Sequence, residues 1–359
     1  MIRRSVLALL AVAAMVMGCV VVASPAGAAI DTAVVVPSPN SGARSNVLKS
    51  VSCVSTTSCV AVGYYVGASA YQSLVLNWDG TSWTRVDSPN SGSNANVLNS
   101  VSCVTASSCV AVGWYVADSG IETQSLVLTW DGSSWAKLDS PNPSAGNNFL
   151  NSVSCVTTIS CVAVGTYDDV QVSTSRSFVV NWDGTSWTKA ESPNTGIYDN
   201  VLNSVSCVSG SSCVAAGYYV DGSGTQLLVL NWDGTSWTKL DSPNPGSDSN
   251  VLSSVSCVTE SSCVAVGNYS NSVYQSFVLN WDGISWTKLD SPNIPPFNNV
   301  VSSVSCATGF SCLAVGKYGT GNGSVDQTLA LLLTGPEPPV TTTTSSTTSS
   351  DPVAPAFTG

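Results

Sequence analysis

Val51-Ser52-Cys53 opens a stretch that runs through Cys59-Val60-Ala61-Val62-Gly63 and Leu74-Val75-Leu76-Asn77-Trp78-Asp79-Gly80-Thr81-Ser82-Trp83, and closes on Val86-Asp87-Ser88-Pro89-Asn90. The same text returns five more times, the last copy cut short. Aligned on their first cysteine, the copies sit at Cys53, Cys103, Cys155, Cys207, Cys257 and Cys306, at intervals of 50, 52, 52, 50 and 49 residues. A fixed period of this size marks a propeller, a solenoid or an array. Each period holds four strand-like runs, in the first copy a (Ser50–Val54), b (Cys59–Tyr65), c (Ser73–Trp78) and d (Trp83–Asp87). Asp79-Gly80 between c and d signals a hairpin, because Gly takes positive φ without steric cost. No run outside the first thirty residues has helical periodicity with caps.

Four short antiparallel strands per period match one blade of a β-propeller, whereas a parallel β-helix has shorter coils and needs no hairpin in each. The expected fold is all-β, a six-bladed β-propeller over residues 30–335. The last copy supplies a (Ser303–Ala307), b (Ser311–Tyr318) and c (Thr328–Leu333) but no d. Ala33-Val34-Val35-Val36-Pro37-Ser38-Pro39-Asn40 reads as that missing strand. The N-terminal strand is therefore expected to complete the last blade and close the ring, which removes the free edge.

The two ends read differently. Residues 1–28 have the anatomy of a signal peptide, with basic Arg3 and Arg4, an apolar run from Val6 to Ala23, and Ala26-Gly27-Ala28 for cleavage. A competing reading takes Val16-Met17-Gly18-Cys19 as a lipoprotein site with Cys19 lipidated. Residues 336–359 are a Thr/Ser/Pro-rich stretch that cannot bury apolar surface, expected to be a disordered stalk. The closing Pro355-Ala356-Phe357-Thr358-Gly359 resembles a sortase sorting signal, with Pro355 in place of the usual Leu, and implies wall anchoring through the stalk. Export is thus expected, with the protein secreted or at the cell surface, free, lipid-anchored or wall-anchored. No further run in the chain is long and apolar enough for a transmembrane span.

Composition excludes several classes. Asp plus Glu total 22 against 11 Lys plus Arg, a net charge of −11, so phosphate backbones are repelled and no nucleic acid is expected as a partner. There is no His, which removes Ser/His and Cys/His nucleophile systems and the commonest transition-metal ligand.

Twelve of the 13 cysteines form pairs of spacing C-x5-C that bracket the a–b turn: Cys53-Cys59, Cys103-Cys109, Cys155-Cys161, Cys207-Cys213, Cys257-Cys263 and Cys306-Cys312. Opposed cysteines on adjacent antiparallel strands reach disulfide distance, and an exported chain permits oxidation. One structural disulfide is expected in each blade. Zinc and dithiol redox chemistry would need closer spacing. Ten of the 11 tryptophans flank the c–d hairpins and are expected to clamp the turn and pack blade on blade, with an aromatic sugar-stacking platform as the alternative. The Asp-Gly-Thr-Ser-Trp hairpin resembles the Asp-box of sialidase-type propellers, one residue tighter, and the kelch-like and WD-repeat propellers are similar in architecture only. That resemblance implies a propeller and transfers no catalytic residue. Val60-Ala61-Val62-Gly63 reads as small residues that let blades approach, and the Asp before each Ser-Pro (Asp87, Asp139, Asp241, Asp290) as an Asx-turn residue.

The a–b and c–d turns hardly vary among copies, while the b–c and d–a loops vary in length and content. One face is thus a uniform scaffold and the other a diversified surface where binding is expected. One position at the end of b reads Tyr64, Trp114, Thr166, Tyr218, Asn268 and Lys317. Gln72, Gln124, Gln226, Gln275 and Gln327 recur at the start of c, but the third copy has Arg176, together with Asp168 and Asp169, beside Asp118 and Glu122 of the second. The candidate ligand-binding residues are Trp114, Arg176, Asp168, Asp169, Tyr64, Tyr218 and Glu122. Their carboxylates could also make a weak Ca2+ site, and no other cofactor or metal is implied. The expected function is non-catalytic binding of a surface glycan, wall polymer or protein through the b–c/d–a face. The alternative is a propeller enzyme acting on glycans, a glycoside hydrolase or lyase, which needs convergent carboxylates. Loops poor in large apolar residues favour a monomer.

Overall fold

The structure, a computed structural model, describes residues 36–335 apart from 42–43, 69, 93, 118–119, 121, 296–297, 310 and 320–325. The leader, Cys19, Asp118, the stalk and the sorting-like pentapeptide lie outside the described residues. The chain divides into two compact units, Met1–Pro37 and Ser38–Gly359, and the second carries all the strands described here.

Each of the first five periods folds into an antiparallel sheet in the order a-b-c-d, and the sixth in the order a-b-c. In the first the strands are Asn46–Ser55, Ser58–Val66, Tyr71–Trp78 and Trp83–Val86. Five such four-stranded sheets are followed by a sheet of three, Asn299–Thr308, Ser311–Gly319 and Asp326–Thr334. The fourth and fifth sheets are joined by one parallel bridge, Thr225 to Ser249. This is an all-β array of β-propeller-type blades. All six expected cystine bridges are formed between a and b, each joining residues paired across the two strands.

Strand a begins about four residues earlier than the alternation suggests. The cause is a bulge. Leu48 pairs with Gly63 and Ser50 with Val62, leaving Lys49 over. The bulge brings the Val47 carbonyl down onto the b strand, where a Cβ at position 63 would lie 1.9 Å from Val47 O. The same clash stands at Gly113, Gly165, Gly217, Gly267 and Gly316. The recurrent Gly of Val-Ala-Val-Gly therefore serves the bulge inside each sheet, which corrects its reading as a spacer between blades.

Between sheets the packing is apolar. Val60, Val62 and Val75 of the first sheet pack with Leu98, Val101, Ala111, Leu126 and Leu128 of the second. Equivalent residues build the next four seams. Each seam also carries a polar ladder. Strand a is the edge of its sheet, so alternate N–H groups point away from strand b, and serines of the preceding sheet accept them. Val101 N donates to Ser50 Oγ (3.2 Å) and Cys103 N to Ser52 Oγ (3.0 Å). The pair repeats in every later seam, ending with Val304 N to Ser254 Oγ (3.2 Å) and Cys306 N to Ser256 Oγ (3.1 Å).

Among the described residues the expected ring closure is not seen: Ala33, Val34 and Val35 of the expected closing strand lie outside them, Val36–Asn40 contains no strand, and the sixth sheet shows three strands. Among the described residues no seam joins the sixth sheet to the first. Two half-seams are left bare. On the first sheet Leu48 and Val51 are 43% and 59% exposed, where Leu98 and Val101 are buried. On the sixth, Leu313, Val315 and Leu332 are exposed, with Ser303 and Ser305 of the ladder beside them.

Candidate functional site

The d–a loops vary in sequence but share one anchor. An Asn at the start of strand a turns its side chain back into the loop. Asn96 Oδ1 accepts Ser91 N (2.7 Å), Asn200 Oδ1 accepts Gly196 N (3.0 Å) and Asn250 Oδ1 accepts Gly246 N (2.7 Å). Asn96, Asn148, Asn200, Asn250 and Asn299 are all buried. The other end is held by the Asn of Ser-Pro-Asn: Asn142 Oδ1 accepts Ser125 N (2.7 Å) and Asn194 Oδ1 accepts Ser177 N (2.8 Å). A loop clamped at both ends can change its middle at little cost to the sheet.

The most distinct middle lies in the third sheet. Its b–c hairpin pairs Tyr167 with Arg176, Asp168 with Ser175 and Asp169 with Thr174. The tip is tight: Ser173 N donates to Asp169 O (2.8 Å), and Ser173 itself has φ 54°, a conformation uncommon outside Gly, Asn and Asp. Asp168, Asp169, Ser173, Thr174, Ser175 and Asp199 line an open cleft of about 390 Å³. Asp168 accepts Asn147 Nδ2 (2.8 Å) and Ser175 Oγ (3.2 Å). Asp199 Oδ1 accepts Ser175 N (2.9 Å), and Asp169 Oδ1 accepts Gln171 N (3.0 Å). Arg176 Nε stands 3.8 Å from Asp169 Oδ2, and Arg176 Nη1 donates to Gly196 O (3.4 Å). Burial, then the Asp199 carboxylate, pushes the Tyr218 phenol above its ordinary value. Four large apolar residues, Val170, Val172, Ile197 and Tyr198, stand exposed on this hairpin and the following d–a loop. They are large apolar residues on loops expected to be poor in them.

Of the candidate residues, Asp168, Asp169 and Arg176 come together here, and the Asp199 carboxylate of the cleft acts on the Tyr218 phenol through its charge. The others do not join them. Trp114 packs edge-on against Phe149 of the third sheet (5.9 Å), and Tyr64 edge-on against Tyr71 of its own sheet (5.1 Å). Glu122 is exposed, with no hydrogen bond among the described residues. No group of three or more acids, cysteines or histidines is placed to hold a metal ion among the described residues.

The repeated acids separate into two kinds. Hairpin Asp79 accepts Thr81 Oγ1 (2.7 Å), Ser82 N (2.8 Å) and Thr81 N (2.8 Å), and these donors hold its carboxyl down at about 2. Asp131, Asp183 and Asp233 are held at about 2 by the same donor set. Asp87, Asp139, Asp241 and Asp290 were expected to make Asx turns. They make no hydrogen bond among the described residues and are exposed, because the following Ser and Asn take over the loop anchoring. The hairpin tryptophans stack in pairs, with centroids 5.4 to 5.7 Å apart. A recurrent Tyr on strand b lies under a cation on strand d in five sheets, as in Lys137 over Tyr115 at 4.1 Å. Sequence reading passed over that pair, although Tyr65, Tyr115, Tyr167, Tyr219, Tyr269 and Tyr318 occupy one aligned position.

No family model matches the chain, and no curated protein matches it. Among solved structures it is similar to YCF48 bound to D1 peptide, at 12% identity and TM-score 0.48, covering 82% of this chain and 86% of that one. It is also similar to the GH74 xyloglucanase from Xanthomonas campestris (12%, TM-score 0.47, 75% of this chain and 44% of that one). A third is Chaetomium thermophilum Sqt1 bound to the N-terminus of the ribosomal protein L10 (11%, TM-score 0.46, 80% and 87%). At these TM-scores the likenesses carry no argument about function. The six disulfides are consistent with an extracellular protein. No helix among the described residues is long and apolar enough to cross a membrane.

Proposed function

We propose that the chain is an exported, non-catalytic binding protein, and that the cleft of the third sheet holds a protein segment bearing Lys or Arg. One observation carries the reading: three carboxylates, Asp168, Asp169 and Asp199, line a cleft together with Val170, and Val172, Ile197 and Tyr198 stand exposed on the same hairpin and the adjoining d–a loop. Exposed apolar side chains beside charge favour a polypeptide ligand over a wall polymer. The carboxylates and the net charge of −11 select for cationic side chains. The loop hydrogen bonds fix the acids before the ligand arrives, which lowers the ordering cost of binding.

We further propose that the six blades close, the bare face of the sixth sheet meeting that of the first in a sixth copy of the repeated seam. Closure would bury Leu48, Val51, Leu313, Val315 and Leu332 and fix the binding face.

Selection of a random peptide library on the full chain tests the ligand class. Enriched peptides should carry Lys or Arg next to apolar residues, and Asp169→Asn with Asp199→Asn should weaken them about tenfold or more. Enrichment without basic residues, or affinity indifferent to both substitutions, would reject the reading. Trp114→Ala serves as the control outside the cleft.

A further inference from the structure

We propose that the seams between consecutive sheets carry a second set of sites, several per chain, for neutral polysaccharide, away from the acidic cleft. Where the second sheet meets the third, a cleft of about 510 Å³ opens between Asp139, Ser140 and Pro141 on one wall and Trp182, Thr185 and Trp187 on the other. The next seam repeats it at about 530 Å³, with Glu191, Ser192 and Pro193 facing Trp232, Thr235 and Trp237. The acid-Ser-Pro run and the Trp pair recur in sequence in two more seams, Asp87-Ser88-Pro89 with Trp130 and Trp135, where Trp130 is buried, and Asp241-Ser242-Pro243 with Trp281 and Trp286, where Ile284 replaces the Thr.

The chemistry of the walls defines the ligand. Trp182 is partly exposed, and its indole N–H is tied to Thr158 O at 3.2 Å, which fixes the ring. Trp232 is tied to Gly210 O at 3.1 Å in the same way. A fixed indole face attracts the polarised C–H bonds on the flat side of a pyranose ring, and a facing Pro adds apolar contact. Trp187 and Trp237 lie behind, each with a buried indole N–H that has no acceptor. Asp139 is exposed and takes no hydrogen bond among the described residues, so its carboxylate is free to accept sugar hydroxyls. Thr185 Oγ1 spends its proton on Asp183 and keeps lone pairs for the same purpose. A carboxylate in each cleft on a chain of net charge −11 repels anionic polymers and leaves uncharged, hydroxyl-rich ones. The repeats hold the clefts at fixed spacing, so a polymer spanning two gains affinity without new contacts. The recurrence of the tryptophans thus supports packing and also multiplies a site.

Cellohexaose is the probe, followed by calorimetry for stoichiometry and by tryptophan fluorescence. Saturable binding at two to four sites per chain is expected. The variant Asp87→Ala/Asp139→Ala/Glu191→Ala/Asp241→Ala changes only exposed side chains and should weaken binding about tenfold or more. A second variant, Thr185→Arg with Thr235→Arg, fills two clefts at the hairpin position where the fifth sheet carries Ile284, and should lower the stoichiometry by two. Binding at one site, no binding, or affinity unchanged in both variants overturns the proposal. So does loss of cellohexaose binding in Asp169→Asn/Asp199→Asn, which would place the sugar in the acidic cleft. Peptide binding should survive all the seam variants, so the two sites fail separately.

Discussion

Ser254 Oγ accepts the Val304 amide at 3.2 Å, across the seam between the fifth and sixth sheets. Both groups are buried in an apolar setting of Val266, Val301 and Ala314. The bond explains why Ser recurs on both sides of the Val in each Ser-Val-Ser-Cys. One serine sits directly before the Val and the other directly after it, and each accepts an edge N–H that strand pairing cannot reach. Ser254→Ala should cost about 1–3 kcal/mol in urea unfolding, because it strands a buried donor. Ser303 is the same residue of the sixth sheet, facing the proposed closing seam. If the blades close, Ser303→Ala costs a similar amount. A loss within about 0.5 kcal/mol, the range of ordinary surface changes, would show that the ends stay apart.

Gly217 sits on the bulge, where a Cβ would meet Val201 O at 2.0 Å and Leu202 Cα at 2.9 Å. Both atoms are backbone, so no side chain can swing away. Gly217→Ala should destabilise the chain by about 3 kcal/mol or more, in the range of severe overpacking. Ala216→Gly, one residue earlier, leaves the bulge intact and should cost less. Equal losses in the two unfolding curves would discount the bulge.

The period, the four strands and the cystine pairs were legible because each rests on local chemistry: alternation, Asp-Gly turns and residues paired across one tight turn. The bulge at Lys49 was not, since an extra residue in strand a looks like a longer d–a loop until the pairing of Gly63 is known. The Ser ladder was hidden for a related reason. Ser50 and Ser52 meet partners about fifty residues away, and nothing local marks a serine as an acceptor for another sheet. For the cleft, Asp168, Asp169 and Arg176 were found because they break the repeat. Asp199, Ile197 and Tyr198 belong to a d–a loop whose place beside that hairpin is set by tertiary packing. Trp114 also breaks the repeat, but it spends its ring on Phe149.

The disulfides close loops of sequence separation 6, as in Cys207–Cys213. In the chain-entropy account a loop this short contributes about 2 kcal/mol per bond. Cys207→Ala with Cys213→Ala should lower the urea stability by about that amount while leaving the fold intact, since strands a and b remain paired over their length. Intact mass after alkylation without reductant should show none of the twelve cysteines of the C-x5-C pairs labelled. Labelling in pairs would refute the bonds.

Asp183 and its siblings predict how acid acts on the array. Their carboxyls sit at about 2 in the folded chain, against about 3.9 when unfolded. A depressed carboxyl stabilises the fold fully above the unfolded value, and that contribution drains as pH falls towards the folded one. Stability should hold flat from neutral pH to about 5 and then decline between about 4 and 2, in step with the hairpin carboxyl signals in NMR. Asp282 offers an internal comparison. Ile284 stands where the other hairpins have Thr or Ser, so Asp282 accepts only backbone donors, Ser285 N first and then Ile284 N. Ile284→Thr supplies the missing hydroxyl and should move the Asp282 titration to lower pH, towards that of Asp183. An Asp282 titration that stays put would mean that the backbone donors alone set these carboxyls.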